Sequence, residues 1–157
     1  TRTARNKVPR TYNEETVKQI KIGKGNIISH GNDVAIFACG VMVNEAKLAA
    51  YELSENGVNA CVVDMHTIKP LDGKLIEELA KKCGCIVTAE DHSVIGGLGG
   101  SVAEFLSKNI PTPLEMVGVD DRFGESGGTS ELMSELDINS DSIVNAVNRV
   151  IKRKLQP

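Results

Sequence analysis

The chain has 157 residues, enough for one domain whose core folds without disulfide or metal staples. Its net charge of -3 is small and spread out, which argues against a nucleic-acid surface, and no apolar run is long enough to cross a bilayer. The four cysteines, Cys39, Cys61, Cys83 and Cys85, form no Cys-x-x-Cys pair, which argues against structural zinc and for thiols kept reduced in a cytoplasmic compartment.

Thr1 to Arg10 is basic, carries a proline and has no periodicity, so it reads as a linker; a start on Thr suggests a processed chain or a piece of a longer one. Val17, Ile20 and Ile22, with Gly23 and Gly25, suggest a weak edge strand somewhere in Val17–Ile28. Val34–Cys39 is a continuous apolar run, as a strand covered on both faces requires. Val43, Ala46, Ala50 and Leu53 then make one helical stripe, which Asn56-Gly57 ends. Ala60–Met65 is the next buried strand. Asp72 can cap a helix with Leu75, Ile76, Leu79, Ala80 and Cys83 on one face, stopped by Gly84.

Strand Cys85–Ala89 runs into Glu90, Asp91 and His92, then into Gly96, Gly97, Gly99 and Gly100, and a helix follows to about Asn109. Leu114–Val119 is the last strand. Thr129 or Ser130 caps a short helix, and Asp141 opens a final one with Arg149, Lys152, Arg153 and Lys154 near its end, where cations suit the helix dipole. Alternating strands and helices predict a parallel sheet between helical layers.

The glycine loop at a strand-to-helix junction could cradle an anion on free N–H groups. Its spacing is not Gly-x-Gly-x-x-Gly, because Val102 stands where the third glycine belongs, and it lacks the Gly-Lys-Ser/Thr of a P-loop. Close backbone packing against a neighbouring domain or subunit is the favoured reading. Glu90, Asp91 and His92 leave a strand in alternate directions, so all three cannot meet on one ligand. His66 closes a strand beside a loop held by Pro70 and could bind an anion, or simply lie at a surface. Asp120, Asp121 and Glu125 near Arg122 read as solvated loop charges. No serine or cysteine sits in a recognisable nucleophile setting. The residues alone therefore describe an α/β domain without a complete active site.

Three stretches carry a resemblance. Thr88-Ala89-Glu90-Asp91-His92 with Gly96-Gly97-Leu98-Gly99, the run from Val62 through His66-Thr67-Ile68-Lys69-Pro70 to Asp72, and Asp121-Arg122-Phe123-Gly124-Glu125-Ser126-Gly127 together resemble the C-terminal domain of transketolases. The likeness runs from about Asn32 to the end. Thr1–Arg10 resembles the tail of the preceding pyrimidine-binding domain. The likeness divides the chain into a linker at 1–12 and the domain at 13–157. It implies a three-layer α/β/α fold with a five-stranded, mostly parallel sheet whose first strand is antiparallel; that strand would lie in Val17–Ile28.

The implied parent enzyme moves a two-carbon ketol unit between sugar phosphates of the pentose phosphate pathway, with thiamine diphosphate and Mg2+ as cofactors. Both cofactors would be held by domains absent from this sequence. No catalytic, cofactor-binding or metal-binding residue is then expected here, and the isolated domain is expected to be inactive. Its expected partners are the N-terminal thiamine-binding domains or subunit, a second copy in a homodimer, and sugar phosphates; neither nucleic acid nor membrane is expected. Arg5 matches an arginine that binds the sugar phosphate in transketolases. His66 stands where deoxyxylulose-phosphate synthases have a phosphate-binding arginine, which favours transketolase over that synthase. Glu90, His92, Gly96, Gly97 and Gly99 are expected at an interface. The alternatives are the same domain of a deoxyxylulose-phosphate synthase or of a 2-oxoacid dehydrogenase β subunit, and, from another class, a stand-alone module binding a small ligand in the strand-exit crevice.

Overall fold

Short apolar runs with no polar face are stable only when both sides are covered, and this chain has several. In the computed structural model, which describes residues 8–155, they become the middle of one sheet. β1 is Asn26–Ser29, β2 Val34–Ala38, β3 Ala60–Asp64, β4 Ile86–Ser93 and β5 Leu114–Val119. The helices are α1 Met42–Glu55, α2 Gly73–Cys83, α3 Leu98–Asn109, α4 Thr129–Glu135 and α5 Ser140–Lys154. The five strands lie in the order β1-β3-β2-β4-β5. β1 runs antiparallel to β3, and the other pairings are parallel. The fold is the expected one: a mostly parallel five-stranded sheet with its first strand reversed, flanked by helices.

Every residue of β2 and β3 is buried. Alternate side chains feed two cores. One gathers Val34, Ile36, Val62 and Val87 with α1 and α5 residues such as Leu53 and Val147. The other gathers Ala35, Phe37, Val63 and Ile86 with Ile76 and Leu79 of α2 and Val102 of α3. Full burial of a Leu, Ile, Val, Phe or Met side chain contributes about 1.5–3 kcal/mol, so these two layers dominate stability.

The local signals mostly act as expected. Asp72 accepts the Leu75 N–H at the start of α2 (3.4 Å), and Gly84 ends that helix at φ 69°. Asp72 also accepts the Gly25 N–H (3.2 Å) and pairs with Lys24 (3.3 Å), so one capping side chain ties the approach of β1 to α2. Asn139, rather than Asp141, caps α5 by accepting the Ser142 N–H. The Glu45 carboxylate of α1 accepts the Ser140 N–H and serves a second free donor of that helix end. Gly128, not Thr129 or Ser130, precedes α4.

Two boundaries differ more. Of Val17–Ile28, only Asn26–Ile28 is strand; Thr16–Gln19 is a single 3-10 turn. The Asn13 side-chain oxygen accepts the N–H groups of Glu15 and Thr16, and Gly23 turns the chain at φ 79°. Val17 and Ile22 are therefore exposed, whatever their β propensity. β4 runs four residues past Ala89 to Ser93, because β5 continues beside it after a bulge and pairs Val119 with Ser93.

Candidate functional site: the strand-exit crevice

β2 is flanked by β3 on one side and β4 on the other. The helix that follows β2 packs on one face of the sheet, whereas the helix that follows β4 packs on the opposite face. Chains that leave neighbouring strands in opposite directions open a gap between the strand ends, and ligands of α/β sheets bind in such gaps. Here a crevice of about 380 Å3 opens there. β2 supplies Cys39 and Gly40, and the exit of β3 supplies His66 and Ile68. β4 and its loop supply Glu90, His92, Gly96 and Gly97. A larger cavity of about 600 Å3 lies between β5 and α5, but its cations are engaged: Arg149 bonds Glu115 (3.0 Å), and Arg122 donates to the Glu135 carbonyl.

Glu90 is 1% exposed and faces the start of α3. Its two oxygens accept the N–H groups of Leu98 and Gly99, each at 2.7 Å. A carboxylate at a helix N-terminus satisfies donors that have no partner within the helix and meets the positive end of its dipole. The cradle that could have held a ligand anion thus holds this chain's own anion. The glycines follow from it. A Cβ on Gly97 would stand 1.9 Å from Glu90 Oε2, and one on Gly99 would stand 2.8 Å from Met116 Sδ and 3.0 Å from Thr88 Oγ1. These two glycines are closely packed within the chain. Gly96 turns at φ 75° with open space around it.

Asp91 and His92 are exposed while Glu90 is buried. His92 Nδ1 lies 3.0 Å from the Ser93 carbonyl. His66 is half-buried; its Nδ1 lies 2.8 Å from Thr67 Oγ1, and its Nε2 is buried with no hydrogen-bond partner. His66, Glu90, His92, Gly96 and Gly97 thus border one crevice, with Gly99 just behind it in α3. Arg5 lies outside the described residues.

The sequence reading missed Tyr12 and Asp64. Asp64 ends the buried run of β3 and is 6% exposed. Its Oδ2 accepts the Tyr12 hydroxyl at 2.6 Å, which pins the segment entering the domain. Burial raises the Asp64 carboxyl above its ordinary value, opposed by the Tyr12 bond and the charge of His66. Burial first, then the hydrogen bond to Asp64 and that group's charge, push the Tyr12 hydroxyl well above its usual range, so it remains a donor. The signal was an acid closing an otherwise apolar strand, since a buried carboxylate must find a donor.

Among the described residues, no three His, Cys, Asp or Glu side chains are placed to hold a metal ion. The crevice's innermost carboxylate is already bonded to α3. The described residues therefore do not fit a magnesium-bound diphosphate, and no chemical step is derived through one.

Comparison with known proteins agrees with the geometry. A family profile described as "Transketolase, C-terminal domain" matches residues 23–143. A 6-deoxy-6-sulfo-D-fructose transketolase subunit of Clostridium sp. is 46% identical over 136 residues, covering 87% of this chain and 42% of the relative. A 1-deoxy-D-xylulose-5-phosphate synthase of Geobacter sulfurreducens is 36% identical over 146 residues, covering 92% of this chain and 23% of the relative. The solved structure of a split-gene transketolase, an inactive β4 tetramer, superimposes with a TM-score of 0.91 at 41% identity, covering 96% of this chain and 48% of that one. The chain thus spans less than half the length of these relatives. The profile match, the shared sheet topology and these identities together place the chain in the transketolase C-terminal domain family.

Proposed function

We propose that this chain is the C-terminal part of a thiamine-diphosphate enzyme that moves a two-carbon ketol unit between sugar phosphates. It works there as a supporting and substrate-facing domain. The cofactor and its Mg2+ belong to the partner domains or subunit, and a second copy completes a homodimer. On this reading the chain has no turnover alone. The crevice forms the edge of the substrate channel, where His66 and Arg5, from the linker, meet the phosphate end of the sugar. His92 and Gly96 border the partner. The expected compartment is the cytoplasm, and among the described residues no helix is long and apolar enough to cross a membrane.

The observation that carries this reading is the crevice at the switch point of the sheet, bordered by His66. The family membership and the subunit names of the relatives support it, as does the inactivity of the split-gene β4 assembly. The test is reconstitution. The chain is mixed with a polypeptide carrying the thiamine-binding domains, and ketol transfer from a ketose phosphate to an aldose phosphate is followed. Activity is expected only in the mixture, and His66→Ala should raise KM for the phosphorylated sugar more than it lowers kcat. Full activity of the chain alone would overturn the reading. Formation of deoxyxylulose phosphate from pyruvate and glyceraldehyde phosphate would move the assignment to the synthase, which a relative at 36% identity makes the natural second choice.

A further inference from the structure

The outer edge of β5 carries backbone groups that nothing pairs. In a parallel ladder the residues of a strand turn their peptide groups alternately toward one neighbour and away from it. Ile86 donates its N–H to the Pro113 carbonyl, and Val94 donates to that of Val119. Glu115, Val117 and Val119 therefore face β4, whereas Leu114, Met116 and Gly118 face outward. Arg153 reaches the Leu114 carbonyl from that outer side at 2.8 Å. Among the described residues, no hydrogen bond reaches the outward groups of Met116 and Gly118. Met116, Val117 and Gly118 line instead the cavity of about 600 Å3 between β5 and α5. The opposite edge of the sheet is guarded: β1 has four residues and bulges between Ile27 and Ser29, a common way of keeping an edge from pairing. Leu114–Val119 has no such device; it holds no Lys or Pro and pairs β4 without a shift from Leu114 to Val117. Met116 and, past the strand ends, Ile95 and Phe123 are exposed apolar side chains.

Charge along this edge has a direction. At the start of β5, Arg149 and Arg153 share the single carboxylate of Glu115. Past its end stand the exposed Asp120 and Asp121, with Arg122 turned to the Glu135 carbonyl. An edge that is basic at one end and acidic at the other matches a copy of itself running the opposite way. We propose that β5 of a second copy adds antiparallel to this edge and joins two five-stranded sheets into one across a twofold axis. Because Arg153 already holds the Leu114 carbonyl, the pairing centres on Val117. Met116 exchanges both backbone bonds with the partner's Gly118, and Gly118 exchanges both with the partner's Met116. Asp120 then faces the start of the partner's strand, beside the partner's Arg149. Arg149 commits Nε to Glu115, which leaves its terminal nitrogens for that carboxylate. The place of this dimer in a ketol-transferring enzyme rests on the function proposed above; the pairing itself does not.

The test is sedimentation velocity of the full chain against concentration, with amide exchange read by NMR at both extremes. A reversible dimer is expected. The amides of Met116 and Gly118 should exchange slowly in the dimer and fast in the dissociated chain, whereas that of Val117, which faces β4, should be slow in both. A monomer at every concentration, or a dimer in which Met116 and Gly118 still exchange fast, overturns the pairing. Asp120→Arg and Arg149→Asp should each weaken the dimer on the order of tenfold or more. An equimolar mixture of the two variants should regain it, because each supplies the charge that the other has lost. Two folded variants that stay monomeric when mixed, or that dimerise alone as well as the wild type, also overturn it. Where a variant fails to fold, the wild-type exchange pattern decides. Ketol transfer in the reconstituted mixture keeps the two readings apart. No transfer from a β5-paired dimer sinks only the proposed function, and transfer by a chain that fails the exchange test sinks only the pairing.

Discussion

The two ends of the sheet are built by opposite rules. At the end where β2, β3 and β4 begin, several polar groups are matched and the backbone is tightly packed. Asn32 and Asp33 both donate N–H to the Asn59 carbonyl at 3.0 Å, and Asp33 Oδ2 accepts the Asn59 N–H at 2.7 Å. The thiols of Cys83 and Cys85 lie against the carbonyls of Gly31 and Asp33, and Lys154 bonds the Cys83 carbonyl at 2.7 Å. At the other end, the chain leaves a crevice, two unmatched atoms on Asp64 and His66, and glycines shaped around a buried glutamate. Stability needs matched groups, whereas recognition needs some left over. The contrast separates a closed, matched end from an open end that holds the candidate site.

The largest effect should come from breaking the closed end. A Cβ on Gly31 would stand 2.3 Å from the Ala60 carbonyl carbon, a collision with backbone that cannot rotate away. Gly31→Ala should therefore lose about 3 kcal/mol in urea unfolding. Gly97→Ala meets the movable carboxylate of Glu90 instead, at 1.9 Å. It should lose about 2 kcal/mol, with raised amide exchange confined to the start of α3, because the bonds to Leu98 and Gly99 go first. Equal losses with equally global exchange would erase the contrast.

Glu90→Gln comes next. It keeps the shape but replaces one acceptor by a donor facing a donor, for about 1–2 kcal/mol. If it proves neutral, Glu90 does not anchor α3.

Linkage to pH should differ in sign between the ends. Burial alone would raise Glu115, at the closed end, but the bonds from Arg153 (2.6 Å) and Arg149 (3.0 Å) outweigh it and hold the group below its ordinary value. Its contribution is then present above the ordinary carboxylate range and lost as pH falls through its depressed value. Asp64 is raised, so its contribution is present below the ordinary range and lost as pH rises through the raised value. Relative to wild type, Glu115→Gln should recover about 1 kcal/mol on acidification, whereas Asp64→Asn should recover a similar amount on going from acid toward neutral pH. Melting temperatures from pH 3 to 8 test both, and parallel curves would refute the distinction.

The smallest signal is chemical. Cys61, Cys83 and Cys85 are buried, and burial first, then the neighbouring thiols, push Cys83 up to about 11. Half-exposed Cys39 should react first with a thiol reagent at neutral pH, and the other three only on unfolding.

The readable parts of the sequence were those where local chemistry decides. Val34–Ala38 and Ala60–Asp64 have no polar face, so they had to be central strands, and Asp72 and Gly84 bracket α2 by side-chain and backbone rules that act over a few residues. Val17 and Ile22 misled because the Asn13 bonds and the Gly23 turn act before any pairing can. The use of Glu90 was hidden because it depends on a loop folding back over eight residues to bring Leu98 and Gly99 to it. Tyr12 was invisible for the same reason at greater range, since its partner is 52 residues away. The crevice was foreseen as a place, but its residues converge from three separate strands.

The Tyr12 clasp sets where a preceding segment reaches the domain: at the carboxyl end of β3, the same end as the crevice. A peptide tether delivered there confers an effective concentration in the millimolar range on anything upstream. Without the tether, contact area must do the same work, and assembly becomes sensitive to dilution. In the relatives the matched stretch is about a quarter of a synthase chain and about half of a transketolase subunit. On the function proposed above, cutting or joining the chain ahead of Tyr12 should therefore change how activity of the assembly depends on protein concentration.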